Sequence, residues 1–100
     1  MEDLIIAKKA LDTGYTCVLS NKGLLLTSKD DLEKALNDFI NSKIDFKDFS
    51  IAITYINESI FLLIDKLEIK KIYTYELSNE VKKILDERSI LYKYAKLLTD

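Results

Sequence analysis

The sequence predicts a three-layer α/β/α sandwich around a mixed five-stranded sheet, formed as a single α/β domain over residues 1–100. Apolar residues recur at helical and then at strand spacing along the chain, and no linker or low-complexity segment interrupts them. With 48% apolar and 32% charged residues, the chain can bury one core. The predicted order is α-β-β-α-β-α-β-α-β, and its repeated strand–helix–strand units need right-handed crossovers that place helices on both faces of the sheet.

The first third of the chain predicts a helix followed by a β-hairpin. Apolar residues recur at helical spacing over residues 2–13, and Gly14 follows where a left-handed C-cap would form. Residues 15–20 have the alternating, β-branched character of a strand. A tight turn at residues 21–23 and a second strand at residues 24–27 complete the hairpin.

The second and third helices are each predicted to begin at a capping side chain. Ser28 is expected to cap the second helix, with Asp31 three positions on, and Asn57 to cap the third, which runs through Leu67 and should be central because it is largely apolar. Between them, residues 49–55 are rich in isoleucine and aromatic side chains, which is typical of a buried strand. The second helix has apolar side chains at i, i+3, i+4, i+7 and i+8: Leu32, Ala35, Leu36, Phe39 and Ile40.

The last third predicts a strand, a helix and a fifth strand. The fourth strand covers residues 69–76, Ser78 caps the fourth helix, and residues 90–95 form the fifth strand. Each of these strands has two tyrosines on one face, so the four rings would form a stripe if the strands adjoin. Cross-strand aromatic packing is the first interpretation of such a stripe, and a surface for a base or a dimer partner is the alternative. The four are Tyr73, Tyr75, Tyr92 and Tyr94.

The composition excludes several classes of function. The chain has no histidine and one cysteine. These absences exclude histidine general bases, Ser-His-Asp and Cys-His catalytic systems, internal disulfides and the usual zinc ligand sets. We therefore expect no cofactor or metal. A net charge of −2 and scattered lysine pairs disfavour extended nucleic-acid binding. No apolar run could cross a membrane and the N-terminus lacks a signal-peptide pattern, so a cytoplasmic protein is expected.

One stretch of the chain resembles a known family. Residues 14–19 read Gly-Tyr-Thr-Cys-Val-Leu, and a glycine turn and the run Thr-Ser-Lys at residues 27–29 follow. On these residues the chain resembles the small prokaryotic family called domain of unknown function 1893 (DUF1893). The similarity continues, mainly in apolar pattern, through Asp45–Ala52, Ile69–Tyr73 and Leu91–Leu98.

The resemblance implies a cytidine-deaminase-like fold, whose element order agrees with the order predicted from periodicity. Deaminases of that fold bind zinc with His-x-Glu at the start of the second helix and Pro-Cys-x-x-Cys at the start of the third. The matching stretches here, residues 28–31 and 55–59, contain neither motif. The family's Asp-Lys-x-x-Gly stretch aligns with Ile53, Thr54 and Asn57, so its charged pair and its glycine are replaced. The chain is interpreted as a divergent relative that is not a zinc-dependent deaminase.

The starts of the second and third helices converge beside the sheet in this fold, where backbone N–H groups and helix dipoles suit a phosphate or carboxylate. Asp30 and Asp31 lie at the same place and would repel an anion, so ordinary helix capping is the alternative interpretation. The candidate ligand-binding residues are Thr27, Ser28, Tyr55, Asn57 and Ser59.

Cys17 is the one candidate nucleophile, although a cysteine in the middle of a strand more commonly packs as a small hydrophobe. Our first hypothesis is a non-catalytic binding or regulatory module that recognises a nucleotide or small anionic metabolite. One alternative is a protein-interaction module acting as a homodimer. The other is a metal-independent enzyme using Cys17 with Asp30, Asp31 or Glu58.

Overall fold

A computed structural model describes residues 2–99, and these form helices and strands in the predicted order. The helices of this region are α1 (Glu2–Leu11), α2 (Leu32–Asn41), α3 (Glu58–Lys66) and α4 (Asn79–Glu87). The strands are β1 (Cys17–Asn21), β2 (Leu24–Ser28), β3 (Ser50–Ile56), β4 (Lys71–Ser78) and β5 (Leu91–Leu98).

The five strands form one mixed sheet with the order β2-β1-β3-β4-β5. β1 pairs antiparallel with both β2 and β3, whereas β3, β4 and β5 run parallel to one another. Each parallel pair is joined by a crossover through one helix, α3 or α4, as parallel strands require. The predicted α/β class with a mixed five-stranded sheet is confirmed.

The helices cover the two faces of the sheet unequally. α1 lies alone on one face, against β1, β3 and β4, whereas α2, α3 and α4 pack on the other. The smaller core, under α1, is formed by Leu4, Ala7, Leu11, Val18, Ala52 and Tyr73. The larger core lies between the sheet and the three other helices, and includes Cys17, Leu36, Ile53, Phe61, Ile64 and Leu85.

The middle of strand β3 is apolar because it is buried on both faces. Ile51 and Ile53 belong to the larger core, and Ala52, which lies between them, belongs to the smaller one. A strand with helices on both sides has no solvent-facing row, which explains the continuous apolar run in the sequence.

Local capping chemistry is predicted correctly at two helices and wrongly at one. Asn57 Oδ1 accepts a hydrogen bond from the Ile60 N–H (2.9 Å), and Ser78 Oγ accepts from the Val81 N–H (3.2 Å), which confirms both caps. The expected Ser28 cap of α2 is wrong, since α2 begins at Leu32 and the Ser28 hydroxyl accepts from the Asp30 N–H instead. Asp31 caps α2 instead, since its Oδ2 atom accepts a hydrogen bond from the backbone N–H of Lys34 (3.3 Å).

The predicted stripe of four tyrosines does not form. β4 and β5 do adjoin, but Ile72 pairs with Tyr92 and Tyr73 pairs with Lys93. Because side chains alternate along a strand, this register puts Tyr73 in the smaller core and Tyr92 against the larger one, on opposite faces.

Two buried serines give a testable prediction for stability. Ser20 and Ser50 face each other across β1 and β3 and are fully buried, and neither hydroxyl has a hydrogen-bond partner among residues 2–99. We expect the double variant Ser20→Ala/Ser50→Ala to raise the free energy of unfolding by about 1–3 kcal/mol, because a buried hydroxyl without a partner opposes folding. Urea denaturation followed by circular dichroism measures the change, with exposed Ser59→Ala as the control. A loss of stability in the double variant would contradict this account.

Candidate functional site

The predicted ligand-binding residues lie at one edge of the sheet, where β2 and β3 end and where α2 and α3 begin. Thr16 connects the two strand ends, since its N–H donates to the Ser28 carbonyl (2.9 Å) and its carbonyl accepts from the Thr54 N–H (3.2 Å). We call this region the polar edge, and define it by Thr27, Ser28, Tyr55, Asn57 and Ser59.

The Thr16 hydroxyl holds the loop that leads into α2, a role that sequence reasoning missed. Its Oγ1 atom lies 2.6 Å from the Asp30 carbonyl oxygen and 3.1 Å from that of Ser28. The Ser28 hydroxyl in turn accepts from the Asp30 N–H at 3.0 Å. Thr16 therefore shapes the polar edge from inside the Gly-Tyr-Thr-Cys stretch, which was the only signal of its importance.

Most side chains of the polar edge are accessible. Tyr55 is 38% exposed, Thr27, Asn57 and Ser59 are also exposed, and Ser28 is half-buried. Asn57 uses its Oδ1 atom to cap α3, which leaves its Nδ2 group to donate outward. Thr27 pairs with Val18 of the smaller core, so its side chain lies on the face of α1 and not beside the starts of α2 and α3. Beside those helix starts, the edge thus offers the Tyr55 ring, the Ser59 hydroxyl and one amide donor to a ligand.

The charge at the polar edge is not strongly positive. Asp30, Asp31 and Glu58 lie at the starts of α2 and α3, where they complement the helix dipoles. Lys34 Nζ is 3.4 Å from an Asp30 oxygen and 3.0 Å from an Asp38 oxygen. Hydrogen bonds to Asp38 and then to Asp30 raise the pKa of Lys34, so this lysine is engaged with its own helix. The site suits a ligand of low charge better than a polyanion.

Cys17 lies beneath the polar edge but not in it. It pairs with Ser28 on one side and Ile53 on the other, and its side chain is fully buried in the larger core. Burial raises the pKa of the thiol from 9.0 to about 12. At neutral pH the sulfur is therefore protonated and shielded from solvent, which is unfavourable for a nucleophile.

Residues 2–99 contain no group of three or more metal-ligating side chains placed to hold a metal ion. Within the same part of the chain, no helix is both long and apolar enough to cross a membrane.

Comparison with known proteins identifies a fold. No protein-family model and no curated protein matches the chain. A solved structure of a DUF1893 family protein from Thermotoga maritima superposes with a TM-score of 0.82 at 12% sequence identity, covering 98% of this chain and 68% of that one. At this low identity, the superposition shows shared architecture alone. The chain therefore has the fold of a DUF1893 family structure, the family that residues 14–19 resemble.

Proposed function

We propose that this protein is a non-catalytic binding or regulatory module that recognises a nucleotide or a small anionic metabolite at the polar edge. The observation that carries the proposal is the gathering of accessible hydrogen-bonding side chains and the exposed Tyr55 ring where two helices begin. The one thiol of the chain is buried below them, which favours binding over nucleophilic chemistry.

A nucleoside monophosphate fits the chemistry of the polar edge well. The Tyr55 ring offers a stacking surface for a base, and stacking on an aromatic ring tolerates different bases. The first N–H groups of α3 and the Asn57 amide suit a phosphate or its neighbouring hydroxyls. Asp30 and Glu58 add acceptors for sugar hydroxyls, but they also oppose each additional phosphate charge. We therefore favour a monophosphate over a triphosphate.

The proposal is tested by a thermal-shift screen against adenosine, guanosine, cytidine and uridine monophosphates. Ligand at 100 times its dissociation constant adds about 2.7 kcal/mol, which raises the Tm of a domain this size by on the order of ten degrees. Tyr55→Leu should weaken binding by roughly tenfold through lost stacking. Tyr94→Leu is the matched control, because Tyr94 is also 38% exposed but lies on β5.

Asn57→Asp is a second useful variant, since aspartate can still cap α3 while the added charge opposes a phosphate. No saturable shift with any monophosphate would contradict the proposal. Equal effects of Tyr55→Leu and Tyr94→Leu would also contradict it.

An interaction role as a homodimer is the second candidate function. It is favoured by Leu24 and Leu25, which are 55% and 41% exposed on the edge strand β2. Light scattering over a range of protein concentrations tests it, and Leu25→Lys should then lower the measured mass toward that of a monomer. A mass of one chain at every concentration would exclude this candidate.

A further inference from the structure

The unequal covering of the sheet leaves a groove between α1 and β5. α1 lies on β1, β3 and β4, and in the described part of the chain no second helix shares this face. The opposite face carries three helices. A groove of about 400 Å³ therefore opens above β4, and we call it the α1–β5 groove; it is lined by Leu4, Ile5, Lys8, Tyr73, Lys93 and Tyr94.

The α1–β5 groove is largely apolar and has the size of a ligand site. Tyr73 is only 8% exposed and Leu4 only 4%, and both belong to the smaller core. Ile5 remains 52% exposed, whereas the Tyr94 ring stacks on Tyr92 on the opposite face of β5. Sites for small molecules typically have volumes of about 300–1,000 Å³ and mostly apolar linings with a few polar groups.

The charged groups that line the groove are both cationic. Lys8 Nζ lies 5.4 Å from the centre of the Tyr73 ring, and Lys93 is the register partner of Tyr73 on β5. Lys93 is exposed and makes no ion pair with a carboxylate of residues 2–99. The groove thus combines an apolar surface with one lysine, Lys93, that has no ion-pair partner in this part of the chain.

Asp12 is the ion-pair partner of Lys8, the other lysine of the groove. Asp12 Oδ2 is 3.0 Å from Lys8 Nζ, but its Oδ1 atom accepts a hydrogen bond from the Tyr75 hydroxyl at 2.5 Å. Asp12 therefore has two partners already, and it does not line the groove.

We propose that the α1–β5 groove binds an amphipathic monocarboxylate, with an aromatic or short acyl body and one carboxylate. The body packs on Tyr73 beside Leu4 and Ile5, and the carboxylate accepts hydrogen bonds from Lys93 and Lys8. The groove is a different surface from the polar edge, so this inference is independent of the function proposed there.

The test is a titration of the ¹⁵N-labelled full chain with 4-phenylbutyrate, followed by NMR. We expect saturable shifts in the amides of α1, β4 and β5. The neutral amide 4-phenylbutyramide, which has the same body, should bind about fivefold more weakly because it lacks the charge.

Lys93→Gln should weaken 4-phenylbutyrate binding by about fivefold and leave binding of the amide unchanged. Lys96→Gln is the matched control, since Lys96 is also an exposed lysine of β5 but does not line the groove. Ile5→Glu, at an exposed position, should weaken carboxylate binding further by placing a negative charge beside the ligand. The spectrum of each free variant verifies its fold.

The inference would be overturned by the absence of saturable shifts, by shifts confined to elements other than α1, β4 and β5, or by equal effects of Lys93→Gln and Lys96→Gln. Equal affinities for 4-phenylbutyrate and its amide would mean that the groove is a non-specific apolar surface, and would overturn the inference as well.

Discussion

Native Cys17 is expected to react with iodoacetamide on the order of a thousandfold more slowly than an exposed cysteine near neutral pH. The thiolate is the reactive form, and burial raises the pKa of the thiol from 9.0 to about 12, which suppresses the thiolate population by about three powers of ten. The fully buried sulfur must also await a local opening of the structure before the reagent can reach it. Mass spectrometry of timed samples measures the rate.

The control for this experiment is the same protein unfolded in urea, in which Cys17 should label at the rate of a free cysteine. A native rate within about tenfold of the unfolded rate would mean an accessible thiolate, and would favour the enzyme alternative over a binding module. Cys17→Ala should retain any thermal shift produced by a nucleotide, because the thiol lies below the polar edge.

Replacing Ile64 by alanine is expected to lower the free energy of unfolding by about 2–5 kcal/mol. Ile64 is fully buried in the larger core, in the second half of α3, so truncation removes apolar contacts and leaves a cavity. The corresponding fall in Tm is at least about 8 °C for a domain of this size. Thermal and urea denaturation followed by circular dichroism measure both quantities.

Leu62→Ala is the matched control, since Leu62 is in the same helix but is 62% exposed. Its effect should stay within about 0.5 kcal/mol. Similar losses from Ile64→Ala and Leu62→Ala would contradict the placement of α3. The pair also tests which side of this largely apolar helix is buried.

Sequence patterns predicted the elements well where local chemistry determines them. Asn57 and Ser78 each lie at the position directly before a helix, and both act as caps. Before α2, the side chains of Ser28, Asp30 and Asp31 could each act as the cap. Which of them does so depends on the loop that Thr16 holds. The hydrogen bonds from the Thr16 hydroxyl to the Ser28 and Asp30 carbonyls join residues that are distant in sequence. Local sequence therefore could not select Asp31 over Ser28.

Relations between elements were harder to predict. The sequence correctly predicts two tyrosines on one face of β4 and two on one face of β5. Whether the two pairs lie on the same face of the sheet depends on the register, in which Tyr73 pairs with Lys93. The polar edge could be anticipated, since parallel strands followed by helices bring helix starts to one edge. The α1–β5 groove could not, because it depends on where α1 lies across the sheet.

The most direct test of the binding proposal is NMR mapping of adenosine monophosphate on the ¹⁵N-labelled protein. We predict saturable amide shifts at residues 28–31 and 55–60, with little change in α1 and β5. Saturable shifts elsewhere, or none at the polar edge at millimolar ligand, would contradict the assignment of this edge as the functional site.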